Sequence, residues 1–147
     1  MTAFALDLRL AADTIALGDT SLSRILLMND ARFPWLIIVP RGVGLTEIVD
    51  LGPSERAALM EEIAFVSMAL SKRPGVEKIN VGALGNIVRQ LHVHIIGRST
   101  RDAAWPGPVW GFGARRGYDA SALERTSRDF VAALGRILTD QSRLAQA

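Results

Sequence analysis

The chain has 147 residues, 49% of them hydrophobic, with 17 Lys and Arg against 15 Asp and Glu for a formal charge of +2. That length points to one domain, 1–147, with its own core, and that composition excludes intrinsic disorder. The cations are scattered, which gives no footprint for a nucleic-acid partner. Zero Cys excludes a disulfide scaffold, a thiolate nucleophile and Cys-ligated metal.

The predicted elements follow in chain order. Phe4, Leu8, Ala11, Ala12 and Ile15 stand at helical spacing and predict a short helix over 4–16. The apolar runs at 23–29 and 35–39 read as strands joined by a turn from Asp30 to Pro34, and Pro40 closes the second. Pro53 after Gly52 opens a helix with an apolar stripe of Leu59, Ile63, Val66 and Leu70, and Pro74-Gly75 ends it. The helical Met and Leu residues are expected in the core. Residues 77–81 predict a strand, Gly82 to Gly85 a turn, and 90–98 (QLHVHIIGR) a strand with two distinct faces. A Trp/Pro/Gly-rich loop runs from about Trp105 to Gly117. The last helix, about 121–143, opens on a capping box at Ser121 and Glu124, with Leu123, Phe130, Leu134, Ile137 and Leu138 as its buried stripe. Strands at hairpin spacing between helices point to an α+β fold with an antiparallel sheet. No apolar run reaches the ~18 residues of a membrane span. No signal-peptide pattern opens the chain, so a cytoplasmic protein without a membrane partner is expected.

Imidazole chemistry is confined to the two histidines, His92 and His94. Side chains two apart in a strand share a face about 6.6–7 Å apart, so Gln90, His92 and His94 are expected on one side and Leu91, Val93 and Ile95 on the core side. Three readings fit that spacing. The polar residues could sit on the solvated face of an edge strand, they could do chemistry, or the two His could bind a metal. The metal reading needs a third ligand from a distant carboxylate such as Asp30 or Asp102.

The stretch GNIVRQLHVHIIGR, residues 85–98, resembles the signature of the histidine-triad (HIT) superfamily, in which His alternates with apolar residues. Aligned on Ile95-Ile96-Gly97-Arg98, the triad positions fall on Gln90, His92 and His94. Asn29-Asp30 after the first apolar strand, WLIIVP, the intervening helix and Gly85 follow in family order, so the resemblance covers roughly 22–107. It implies a five-stranded antiparallel sheet, a homodimer, and a hydrolase or transferase acting on a purine nucleotide or nucleotide conjugate without a metal or other cofactor. His92 takes the place of the nucleophile and His94 of a phosphate or leaving-group contact. Imidazole suits the task, because one neutral ring nitrogen can attack while the other donates a hydrogen bond that fixes the tautomer.

The sequence departs from the family pattern in two places. Gln90 stands where His is usual and cannot carry a proton at neutral pH. Asn86 keeps an amide ahead of the strand, whereas Ile87 replaces a hydroxyl residue. These departures keep a nucleotidyl transferase or a slow-turnover binding module open beside the hydrolase. The resemblance also places Asn29 or Asp30 at the ribose. Met28 and Leu26 are candidate walls of a base pocket. Arg98 shares the parity of the triad and is a candidate for distal phosphates. Trp105 and Trp110 are equally open to substrate cover, subunit interface and plain loop packing.

Overall fold

Alternation of side chains along the strands decides how this chain is layered. The computed structural model describes residues 3–139. In chain order it contains α1 (Leu8–Asp13), β1 (Thr14–Asp19), β2 (Ser23–Met28), β3 (Trp35–Pro40), a 3-10 turn (Ile48–Asp50), α2 (Pro53–Ser71), β4 (Lys78–Gly82), β5 (Val93–Arg98) and α3 (Ala120–Leu134). The strands form one antiparallel sheet in the order β1-β2-β3-β5-β4. One face carries Ile25, Leu27, Leu36, Ile38, Val93 and Ile95 under the apolar stripes of α2 and α3. The other carries Leu26, Trp35, Ile37, Val39 and Ile96 under Leu10 of α1, Phe33, Ala104 and Val109. The central strands are therefore covered on both sides, and β5 is an inner strand.

The α+β class, the antiparallel sheet of five strands and the central elements agree with the sequence reading. Several local expectations are corrected. The helix over 4–16 is only α1, capped by the Asp7 carboxylate on the Arg9 N–H at 2.8 Å. At Thr14 the backbone turns extended (φ −136°, ψ 170°), because Thr14 and Ile15 are β-branched and pair with Met28 and Leu27. Strand β1 escaped notice since it is short, half-exposed and bulged between Ala16 and Gly18. Leu8, counted in the helical stripe, is 87% exposed.

Strand β5 begins at Val93 and not at residue 90. Its pairing with β3 stops at Ile38 opposite Val93, and Pro40, which falls opposite Leu91, has no N–H to give, so residues 90–92 have no ladder partner on that side. The Leu91 N–H bonds to Leu45 O instead, at 2.9 Å. Helix α3 is capped by Asp119, which accepts from the Ala122 N–H at 2.7 Å, so the expected box at Ser121 and Glu124 is displaced by two residues. It stops at Leu134 before Gly135; the part of the expected helix beyond 139 lies outside the described residues. Met60 and Met68 of α2 are exposed, because they lie on the face turned away from the stripe of Leu59, Val66 and Leu70. Among the described residues no helix is long and apolar enough to cross a membrane.

Candidate active site

A cavity of about 340 Å³ opens on the sheet face opposite α2 and α3. Its floor is built from four strands: Thr14 on β1, Met28 on β2, Trp35 and Ile37 on β3, and His94 on β5, with His92 just ahead of that strand. Leu10 of α1, Trp110 and the 84–88 turn make its walls. The histidine rings stand edge to face with centroids 4.8 Å apart. Both residues are buried, so neither lies on a solvated face.

Each ring has one nitrogen committed, and the commitments differ. The Nδ1 of His92 lies 2.6 Å from the Gln90 carbonyl oxygen. A carbonyl only accepts, so Nδ1 carries the proton and Nε2 keeps a free lone pair. In His94 the pattern is reversed. The indole N–H of Trp35 donates to Nδ1 at 3.0 Å, so the proton of the neutral ring sits on Nε2. Burial, and secondarily the charge of His92, pushes the His94 pKa from 6.5 down to about 3. His94 is therefore neutral at pH 7, a hydrogen-bond donor without a proton to give up cheaply.

Cross-strand register supplies both supports of His94. Trp35 pairs with Ile96, which places its indole diagonally beside His94 on the same face. Gly82 pairs with His94 from the other side. A Cβ on Gly82 would meet Trp110 Cη2 at 2.8 Å, so the glycine leaves room for the Trp110 ring, which packs edge to face on His94 at 5.6 Å. The sequence reading missed Trp35 and Gly82 entirely. Trp110 lines the cavity, whereas Trp105 lies over the Arg98 guanidinium at 5.7 Å and packs the neighbouring loop.

The other expected residues divide. Met28 and Asn86 line the cavity, as does Ile87; Leu26 is core. Gln90 leaves the face of the histidines: its side chain accepts from the Asp7 N–H and donates to Ala5 O, both at 2.9 Å. Arg98 is not available to a phosphate. It is 1% exposed and bound by Asp102 (2.7 and 3.0 Å), Asn80 (2.7 Å) and Gly107 O (2.8 Å), so it ties β4 and β5 to the loop after them. Asn29 and Asp30 fall outside the cavity lining and hold the 112–118 loop. Asn29 accepts from the Tyr118 N–H at 2.9 Å, and the buried Asp30 is paired with Arg32 at 2.7 Å. Burial alone would raise the Asp30 pKa, yet the Arg32 hydrogen bonds hold it below its ordinary value. Among the described residues no group of three His, Cys, Asp or Glu could hold a metal ion, and Asp30 and Asp102 are paired with Arg32 and Arg98. Arg9 and Asp13, which no sequence pattern singles out, line the cavity from α1.

A family model described as HIT domain matches residues 9–101. A solved histidine triad protein from Bradyrhizobium japonicum is 47% identical, with a TM-score of 0.84 over 93% of this chain and 99% of that one. A second, from Sinorhizobium meliloti 1021, is 48% identical with a TM-score of 0.83, covering 94% and 99%. A third, from Marinobacter aquaeolei VT8, is 40% identical with a TM-score of 0.89, covering 92% and 99%. No curated protein matches the chain.

Proposed function

The chain belongs to the HIT domain family, and from that premise we propose that it is a nucleotide hydrolase whose His92 attacks the α-phosphate of a nucleotide conjugate. One observation carries the proposal: the 2.6 Å bond from His92 Nδ1–H to the Gln90 carbonyl, which leaves Nε2 free inside the cavity. In the first step the Nε2 lone pair forms a bond to phosphorus while the bond to the leaving group breaks and its electron pair departs with that group. The ring gains positive charge, which the Gln90 carbonyl stabilises through the Nδ1 proton. Water then attacks phosphorus, the P–N bond breaks with its electrons returning to Nε2, and the proton lost by the water is released to solvent as the nucleoside phosphate forms.

His94 contributes a hydrogen bond from Nε2–H to a phosphoryl oxygen. It does not protonate the leaving group, because a neutral imidazole that gives up its proton becomes an imidazolate. Leaving groups that depart as stable anions therefore suit this site best, and the phosphate chain of a dinucleoside polyphosphate is one. An amine leaving from a phosphoramidate needs a proton from water or from the substrate. Met28 forms part of the wall against the base, and the Asn86 amide reaches the phosphate side. Asn29 or Asp30 serves the ribose only by giving up the loop contacts described above.

The test is a screen of dinucleoside polyphosphates, adenylyl phosphoramidates and nucleotide sugars, with His92→Ala as control. Rapid quenching and peptide mapping should find the nucleotidyl group on His92. Label on His94, or full activity in His92→Ala, refutes the mechanism. The want of a proton donor at the leaving group also favours a second reading, a nucleotidyl transferase or slow-turnover nucleotide-binding module of the same fold. That reading requires tight nucleotide binding with negligible release of hydrolysis product. Assembly as a homodimer belongs to the proposal as well: β4 is an edge strand and Val81, Leu84 and Ile87 beside it are exposed. Light scattering should give twice the 15.9 kDa chain mass, and a monomer at micromolar concentration excludes it.

A further inference from the structure

The side chain of Gln90 is engaged within the protein. Its amide bridges two groups of the N-terminal arm, accepting from the Asp7 N–H and donating to Ala5 O, each at 2.9 Å. The arm is anchored independently, since Phe4 and Leu6 pack on the apolar cluster beneath the cavity. The carbonyl of the same Gln90 accepts the Nδ1 proton of His92 at 2.6 Å. Residues 90–92 precede β5 and lack a ladder partner in β3, so the sheet does not fix that carbonyl. Leu45 O holds the N–H of the same peptide group, that of Leu91, at 2.9 Å, and the arm holds the residue from its side chain.

We infer that Gln90 is a positioning residue, whose side chain clasps residues 5–7 so that its main-chain carbonyl holds the His92 ring in one tautomer and one orientation. The inference rests on the assignment of His92 as nucleophile for its kinetic consequence, though not for its structural one. An amide is suited to the clasp because one planar group offers both a donor and an acceptor. Leu has a similar size and offers neither. The arm is thereby part of the active-site framework, and α1, which continues from it, brings Arg9 and Leu10 to the cavity wall.

The experiment is a double-mutant cycle read in two ways. Gln90→Leu removes both bonds. Asp7→Pro removes the N–H from the other side at a backbone conformation (φ −51°, ψ 136°) that proline adopts. Asp7→Asn keeps that N–H and serves as control. The first readout is long-range ¹H–¹⁵N correlation of the His92 ring, independent of any activity. The wild type should show a protonated Nδ1 and an unprotonated Nε2, and both variants should move toward averaged shifts. The second readout is turnover of whichever conjugate the screen identifies. Misplacing a reacting group by about 1 Å costs up to roughly 100-fold, so a tenfold or greater loss in kcat with KM within threefold is expected of each single variant. The double variant should be no worse than either one. A raised KM with kcat kept in Gln90→Leu and an inert Asp7→Pro would mean that Gln90 contacts the ligand, which overturns the inference. So would an unchanged His92 tautomer in both folded variants, with folding checked by circular dichroism. Gln90→Glu, which retains the acceptor for Asp7, should fall between wild type and Gln90→Leu. If the wild type turns over nothing, the hydrolase reading fails, and the ring nitrogens still decide this inference.

Discussion

Acidification from pH 6.5 to 4.5 should cost this fold stability through His94. The folded-state pKa lies near 3 against 6.5 for the free side chain, because the ring is buried and faces His92. Between those values the unfolded chain binds one proton more than the folded chain at this site. Stability therefore rises with pH across the interval, and is lost as pH falls through it. With these two pKa values the loss between pH 6.5 and 4.5 is about 2 kcal/mol, a large share of a typical 5–15 kcal/mol. The window keeps clear of Asp30 and Asp102, both held below the ordinary carboxylate value of 3.8 by their arginines although burial opposes it. Their stabilisation is lost only at lower pH. Urea denaturation at half-unit steps of pH measures the slope. His94→Gln, whose amide oxygen can still accept from Trp35, should flatten it by most of that amount. A wild-type curve that is level from pH 6.5 to 4.5, or one whose slope survives in His94→Gln, would refute the assignment of a neutral, acid-sensitive His94.

Three further perturbations follow from the same geometry. Trp35→Phe leaves His94 Nδ1 without its donor, an orphaned acceptor worth about 1–3 kcal/mol, so Tm should drop by roughly 3–10 °C and the His94 ring should lose its single tautomer by NMR. Gly82→Ala drives a methyl against Trp110, and either the overpacking costs about 1–3 kcal/mol or the indole shifts out of the cavity. Thermal melts and tryptophan fluorescence together detect both. Arg98→Met strands the buried Asp102 carboxylate and should cost about 3–5 kcal/mol in denaturant titration, with Arg98→Met/Asp102→Leu recovering part of it. An unchanged midpoint in Arg98→Met would mean that the guanidinium is not a structural tie.

Much of the sheet could be read from local pattern, because β2, β3 and the α2 stripe bury whole faces and so leave strong periodic signals. Strand β1 left none. It lies at an edge, half-exposed, with Gly18 breaking its alternation, and the preceding Ala-rich turn carried helical spacing into it. The imidazoles stood out by rarity, and their shared face followed from a period of two. Gln90 has the same parity but not the same direction, because period-two reasoning holds only while the strand continues, and β5 starts three residues later. Arg98 shows the complementary limit. Its parity is right, yet a buried cation goes where its countercharge is, and Asp102 arrives from a loop whose path no pattern in the sequence gives.

The division of labour between the two histidines has the same origin. Their side chains are identical, and two residues of sequence separate them. What differs is the partner of Nδ1: a carbonyl for His92, which forces the proton onto Nδ1, and an indole N–H for His94, which forces it off. The first arrangement exposes a lone pair at Nε2 and the second exposes a hydrogen there. A nucleophile and a hydrogen-bond donor thus stand side by side, and protonation of His94 by a substrate is made costly in advance by its burial. Exchanging the partners would exchange the roles. A Trp35→Gln substitution that presents its oxygen to His94 Nδ1 should turn that ring over to the tautomer of His92. The site would then hold two nucleophiles and no donor, and the expected outcome is slower turnover with label recovered on both residues. Label still confined to His92, with the His94 tautomer shown by NMR to have changed, would mean that the register of the backbone and not the tautomer selects the nucleophile.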